Sequence, residues 1–124
     1  MTATVITLPV PALLTEPERA QLIANGMASV STDAFDPEPV VRLYSRTLTT
    51  VWYLTEVDPL GSSDLAFGLC DAGDGLADLA GVDLSEMARP DDPHAFRRDP
   101  SFRPQGRLSG YLARARRTPP LASS

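Results

Sequence analysis

The first part of the chain has the hydrophobic spacing of an amphipathic helix. Apolar side chains recur there at intervals of three and four residues, and Thr15 and Glu18 stand at the spacing of a capping box. Asn25 and Gly26 are typical of a helix end, because glycine adopts a left-handed backbone at little cost. The pattern therefore predicts a first helix from about residue 16 to residue 25, with fraying as far as Ser29.

Four segments with the composition of β-strands follow, at residues 40–44, 49–57, 64–70 and 76–82. Short links rich in turn-forming residues join them. These links favour antiparallel pairing, since parallel strands need a long crossover. One link, DAGDG at residues 71–75, suits a tight turn because aspartate and glycine tolerate its backbone angles.

Alternation within the strands predicts which side chains share a face. In the second strand, Trp52 and Leu54 lie on one face, and Tyr53 and Val57 are expected on the other. In the third strand, the small residues Ala66, Gly68 and Cys70 alternate with larger ones. Their face leaves room for the close approach of a helix.

The C-terminal third of the chain differs in composition from the rest. Residues 89–106 are rich in arginine and proline and predict an irregular segment, whereas residues 107–116 have the apolar stripe of a second main helix. We therefore predict a single α+β domain over residues 13–117, with a four-stranded, mainly antiparallel sheet packed by an N-terminal and a C-terminal helix. Residues 1–12 are expected to form an extended lead-in, and residues 118–124 a disordered tail.

Charge is divided unevenly along the 124 residues. Residues 1–88 hold three arginines and thirteen acids, a net charge of −10, whereas residues 89–124 hold eight arginines and three acids, a net charge of +5. Such an asymmetry is typical of proteins that bind a charged partner. The N-terminus lacks a basic region followed by an uninterrupted apolar run, so we expect a cytoplasmic protein with no membrane partner.

Four sequence blocks resemble one known family in their order and spacing. The blocks are LLTEPERAQLIANG, PVVRLYS, TVWYLTEVDP and LAFGLCDAGDGLADLAGVDLSE, within residues 13–88. They resemble the bacterial family of proteins of unknown function designated DUF2958. The resemblance implies a small bacterial protein of a kind often carried on plasmids and other mobile elements, and it brings no catalytic residues.

The residues themselves do not assemble a recognisable catalytic set. Cys70 and His94 are the only cysteine and histidine, and we expect Cys70 to be a small, buried apolar residue at a strand end rather than a nucleophile. A metal-dependent enzyme remains an alternative, with Glu56, Asp71 and Asp74 as candidate ligands. The DAGDG run lacks the spacing of a calcium-binding EF-hand loop, and no cofactor is expected.

The leading hypothesis is a non-enzymatic accessory protein that binds a macromolecule, most simply another protein. Its acidic body is suited to mimicry of nucleic acid or to inhibition of a host-defence protein. Nucleic-acid contact through the arginine-rich C-terminal region is a further alternative. The candidate contact residues are Arg97, Arg98, Arg103, Arg107, Arg114, Arg116 and Arg117.

Overall fold

A computed structural model of the chain describes residues 13–32, 34–60, 64–89 and 95–117. The predicted lead-in and tail, and His94, lie outside these residues. The elements in chain order are α1 (Glu16–Ser31), β1 (Val41–Ser45), β2 (Val51–Val57), β3 (Leu65–Asp71), β4 (Asp78–Asp83), α2 (Leu84–Met87), β5 (Phe96–Arg98) and α3 (Leu108–Arg117). The prediction of an α+β arrangement with an antiparallel sheet is confirmed.

The sheet has five strands in the described residues, so the prediction of four is wrong. The strand order is β4-β3-β2-β1-β5, and each neighbouring pair is antiparallel. The additional strand, β5, lies within the segment predicted to be irregular and pairs with β1, with Tyr44 opposite Arg97. Three residues between proline-rich stretches are too few to show the alternation that identifies a strand.

The first helix begins as predicted but continues six residues beyond the predicted end. Thr15 Oγ1 accepts from the backbone N–H of Glu18 at 3.3 Å, and Glu18 Oε1 accepts from the N–H of Thr15 at 2.8 Å. Asn25 lies inside the helix, where its side-chain amide donates to the carbonyl of Thr55 at 2.9 Å. Gly26 packs so close to β2 that an added Cβ would lie 2.5 Å from the carbonyl oxygen of Val57. Glycine therefore serves helix–strand packing here, rather than ending the helix.

Two hydrophobic clusters lie on opposite faces of the sheet. The larger lies beneath α1 and includes Leu22, Leu43 and Leu54; the smaller, beneath α3, includes Leu69 and Leu108. The helices thus cover different faces, and the alternation of strand side chains separates the two clusters.

Because of a bulge in β2, the predicted position of the Val57 side chain is wrong. The register of β2 with β3 shifts between Leu54 and Glu56, which leaves Thr55 fully buried. As a result Val57 joins Trp52 in the cluster beneath α1, instead of lying on the opposite face.

The helix α3 is fixed at both of its ends. The backbone N–H of Leu108 donates to the carbonyl of Pro37 at 2.9 Å, and the N–H of Ser109 donates to Asp36 Oδ1 at 3.0 Å. Near the other end, Arg116 Nε donates to the carbonyl of Ala77 at 2.8 Å. These contacts determine which part of the second sheet face α3 covers.

The closest packing in the sheet predicts a stability test at Gly68. An added Cβ would lie 2.0 Å from the backbone carbonyl oxygen of Tyr53, so neither strand can relax by moving a side chain. We expect Gly68→Ala to lower the free energy of unfolding by about 3 kcal/mol, measured by urea denaturation. Gly81→Ala is the matched control, because the nearest atom to its added Cβ is 3.6 Å away. Equal stability of the two variants would contradict this packing.

A salt bridge between β5 and α1 predicts a pH dependence of stability. Arg98 donates through Nε and through a terminal nitrogen to the carboxylate of Glu18, each at 2.8 Å. Partial burial raises the pKa of Glu18, but the hydrogen bonds from Arg98 and Thr15 and the charge of Arg98 together lower it below its ordinary value of 4.5. The folded state therefore favours the ionised carboxylate, and this contribution is lost as the pH falls through the lowered pKa.

We expect Glu18→Gln to lower the Tm at neutral pH by about 2–5 °C, because the pair is only partly buried. The difference from the wild type should shrink as the pH falls below 4.5, the ordinary glutamate value. Glutamine can still serve the capping box, so the change isolates the charge. Glu16→Gln is the control in the same turn, and a Tm difference that does not vary with pH would argue against the ion pair.

Candidate functional site

Opposite charges lie at opposite ends of the sheet. The carboxylates gather around β3 and β4, at Asp64, Asp71, Asp74, Asp78 and Asp83, whereas arginines 42, 46, 97 and 98 belong to β1, β5 and their links. Because β4 and β5 are the two edges of the sheet, the strands and their links carry more carboxylates at one edge and more arginines at the other. Some of these charges are paired: Arg116 of α3 binds Asp78 at the β4 end, and at the β5 end Arg42 binds Asp99 and Arg98 binds Glu18. The other carboxylates make the β4 end the more acidic of the two.

Large apolar side chains are exposed at the acidic end of the sheet. Leu65, Phe67 and Leu79 lie on the same face as α3, with exposed fractions of 53%, 37% and 39%. Gly81 is directly opposite Phe67, and Asp83 is directly opposite Leu65. We call these five residues the β4-edge surface.

A groove lies between this surface and α3. Phe67 and Leu79 form one wall, Leu108 and Leu112 form the other, and Glu56 lies at its margin. The groove has a volume of about 370 Å³. It is mostly apolar in lining but lies at the acidic end of the molecule, a combination that suits a partner with both apolar and basic groups.

Among the candidate contact arginines, Arg98 and Arg116 form salt bridges within the protein. Arg98 binds Glu18, and Arg116 binds both the carbonyl of Ala77 and Asp78, the latter at 3.0 Å. The part of the basic C-terminal region that the structure describes therefore packs partly on the acidic body.

The other candidate arginines are exposed and lie on different elements. Arg97 is on β5, Arg103 and Arg107 are on the link before α3, and Arg114 and Arg117 are on α3 itself. The guanidinium of Arg114 lies 4.7 Å from the centre of the Tyr111 ring. These arginines therefore belong to an edge strand, a link and a helix, rather than to one element.

The aromatic side chains near these arginines pack against one another. Tyr53, Phe102 and Tyr111 have ring centres 4.8 to 6.4 Å apart in tilted arrangements. The Tyr111 hydroxyl also accepts from the backbone N–H of Gln105 at 2.8 Å. The cluster holds the link before α3 against β2, and all three rings are only partly exposed.

The candidate metal ligands do not converge. Asp71 and Asp74 shape the β3–β4 turn, where their carboxylates accept from the backbone N–H groups of Gly73 and Leu76 at 2.8 and 2.9 Å. Glu56 lies near the other end of β2 and accepts from the Ser29 hydroxyl at 2.8 Å. Within the described residues, no group of three or more potential ligands is placed to hold a metal ion.

Cys70 is half-buried on the face of β3 that packs towards α1. Burial raises the pKa of its thiol, and the negative charges of Asp71 and Asp74 raise it further. A thiol in these surroundings stays protonated at neutral pH and is a poor nucleophile.

The β4-edge surface was not among the residues predicted from sequence. The alternation of Leu65, Phe67 and Leu69 indicated an apolar face, but not how much of it α3 would leave uncovered. Exposure at this end depends on where α3 lies, and that position is set by tertiary contacts.

The fold and the surface define a small α+β protein with an open antiparallel sheet, helices on both faces and an exposed acidic, apolar edge. The chain belongs to the family described as protein of unknown function DUF2958, whose profile matches residues 13–121. Comparisons with curated proteins and with solved structures give no match. None of the helices in the described part of the chain combines the length and hydrophobicity of a membrane span.

The environment of Cys70 predicts slow reaction with thiol reagents. At pH 8 we expect the native protein to react at least about tenfold more slowly than a short cysteine peptide, because the thiolate is disfavoured and partly shielded. The rate should rise to that of the peptide when the protein is unfolded in guanidinium, which serves as the internal control. A native rate equal to that of the peptide would point to a reactive thiol.

Proposed function

We propose that the protein is a non-enzymatic binding protein whose partner is another protein, and that it binds this partner through the β4-edge surface. The observation that carries the proposal is the clustering of Leu65, Phe67 and Leu79, exposed side by side at the acidic end of the sheet. Contiguous exposed apolar side chains with a polar border are typical of interaction sites.

The charge of the surface indicates the chemistry of the partner. Asp64 and Asp83 border the apolar side chains, as does Asp78, which is paired with Arg116, and Glu56 lies at the margin of the groove. A basic surface would complement these carboxylates and would approach faster through long-range attraction. Nucleic acid is disfavoured at this place because its phosphates carry the same sign of charge as the carboxylates.

The same charge suits the setting that the family resemblance implies. On a mobile element, an acidic protein of this kind would occupy the basic, nucleic-acid-binding site of a host protein, as a mimic or an inhibitor of a defence system. The net charge of −5 and its concentration around β3 and β4 support this part of the proposal.

Affinity capture with matched variants tests the proposal. The full-length chain is used as bait, alongside the double variant Phe67→Ser/Leu79→Ser and the control Val30→Ser, which alters an 81% exposed side chain on α1. We expect a basic protein to be retained by the wild type and by the control. The double variant should bind the purified partner at least about tenfold more weakly by calorimetry, as for central interface side chains. Binding should also weaken with salt.

Circular dichroism establishes that the double variant is folded, so that a loss of binding is not a loss of structure. Equal binding by the wild type and the double variant would contradict the proposed surface. Recovery of nucleic acid in place of protein, with binding reduced by Arg97→Glu or Arg117→Glu, would favour the arginine-based alternative.

A further inference from the structure

The hydrogen bonds between β4 and β3 show which backbone groups of β4 face away from the sheet. The N–H of Leu84 donates to the carbonyl of Asp64 at 2.9 Å, in the same register that pairs Ala66 with Val82. In an antiparallel pair, residues alternate between bonding the neighbouring strand and pointing away from it. The N–H and C=O groups of residues 79 and 81 therefore point away from β3, towards the open edge. Asp83 is the N-cap of α2, so its carbonyl belongs to that helix and only its N–H is an outward group of the strand.

These outward groups differ in what they contact. Leu79 N–H is satisfied by the carboxylate of Asp78 at 2.8 Å. The outward N–H and C=O of Gly81, at the centre of the strand, have no hydrogen-bond partner among the described residues. They form a donor and acceptor pair ready to bond one residue of an added strand.

Gly81 also leaves a gap beside an exposed ring. It has no side chain, and its Cα partner across the sheet is Phe67, whose side chain is 37% exposed. In an added antiparallel strand, the residue opposite Gly81 would place its side chain on the same face, over this gap. A large apolar side chain there would contact Phe67, as aromatic residues do when they cover a glycine in a neighbouring strand.

The ends of the strand select the charge of the occupant. Asp83 stands at one end and Asp64 precedes the neighbouring strand, whereas Asp78, at the other end, is paired with Arg116. A second copy of this chain would bring its own carboxylates to the same edge, whereas a basic segment would neutralise them. Charge complementarity therefore favours a different, basic chain over self-association.

We propose that the partner binds by adding a basic, extended segment as a sixth strand along β4, with a large apolar residue opposite Gly81. This inference rests on the proposed function, because it specifies how the β4-edge surface holds its partner. The register gives the chemistry of the segment: a basic residue opposite Asp83, an apolar anchor opposite Gly81 and an apolar residue opposite Leu79. A basic residue opposite Asp78 would share its carboxylate with Arg116, which binds one of the two oxygens.

A synthetic probe follows from this register. The probe is a capped hexapeptide, Arg-Thr-Phe-Thr-Val-Arg, whose residues lie opposite residues 83 to 78 in antiparallel order. Two control peptides separate the contributions. One replaces both arginines by glutamate, and the other carries an N-methyl group on the phenylalanine, which removes the N–H that would bond the Gly81 carbonyl.

The measurement is amide NMR of the full-length protein during titration with the probe. We expect the largest shift changes at the amides of Leu79, Gly81 and Asp83, and slower hydrogen exchange at Gly81. Either control peptide should bind at least about threefold more weakly, which corresponds to the loss of one hydrogen bond or charge contact.

Variants of Gly81 separate strand addition from binding in the neighbouring groove. Gly81→Pro removes an outward N–H that the fold itself does not use, and proline is tolerated on edge strands at such positions. We expect it to weaken the probe by about tenfold or more, since it removes a hydrogen bond and disturbs the approach of the added strand. Gly81→Ala keeps the N–H and should bind within about threefold of the wild type. Circular dichroism checks that both variants fold.

Three results would overturn the inference. They are shift changes confined to Leu108 and Leu112 with Gly81→Pro binding normally, equal binding of the acidic peptide, and no shifts in the wild type at about 5 mM probe. Binding of the variants to the partner found by affinity capture separates a failure of the added strand from a failure of the proposed function. A partner that is lost in Phe67→Ser/Leu79→Ser but retained by Gly81→Pro supports the surface and rejects the added strand.

Discussion

The close approach of α1 to the central strand β2 is the constraint on which the rest of the structure depends. Gly26 lies against the carbonyl of Val57, and the Asn25 side chain bonds the carbonyl of Thr55. Both contacts fall where β2 bulges, so the helix and the irregular part of the strand hold each other in place. With α1 fixed over β2 on one face, the second cluster has to form on the other face, beneath α3. Because α3 lies against β3 and the aromatic side chain of Tyr53, the outer part of β4 stays uncovered.

Elements that depend on residues close together in the sequence were predicted correctly. The start of α1 depends on Thr15 and Glu18, three residues apart, and was predicted correctly. The end of α1 was not, because Asn25 and Gly26 are used for contacts with residues 30 positions away or more. The same limit applies to β5, whose three residues are a strand only because β1 offers them an edge. Contacts between residues close in sequence can be predicted from one sequence. Whether a residue makes such a local contact or a tertiary contact instead cannot.

The charged side chains show the same division. The sequence identified a basic C-terminal region, but not that Arg98 would bind Glu18 or that Arg116 would reach Asp78. Asp71 and Asp74 were candidates for metal chemistry, and the structure gives them the role of turn formers. The β4-edge surface could not be predicted, since each of its side chains is unremarkable alone. It becomes a surface only when antiparallel pairing aligns Phe67 with Gly81 and Leu65 with Asp83.

An open, partly apolar strand edge can bind a partner, but it can also template aggregation. Charged residues at an exposed edge are a common protection against such pairing, and here Asp83 and Asp64 would repel a second copy of the same edge. The same carboxylates cannot repel a basic segment, so the protection is selective and does not close the edge. Gly81 supports this interpretation, since a β-branched residue there would protect and stabilise the strand better. Glycine instead leaves its backbone groups accessible beside Phe67. Glycine lowers the stability of the strand, which is a disadvantage for an edge that only has to be protected. The same glycine favours an edge that binds a partner of opposite charge.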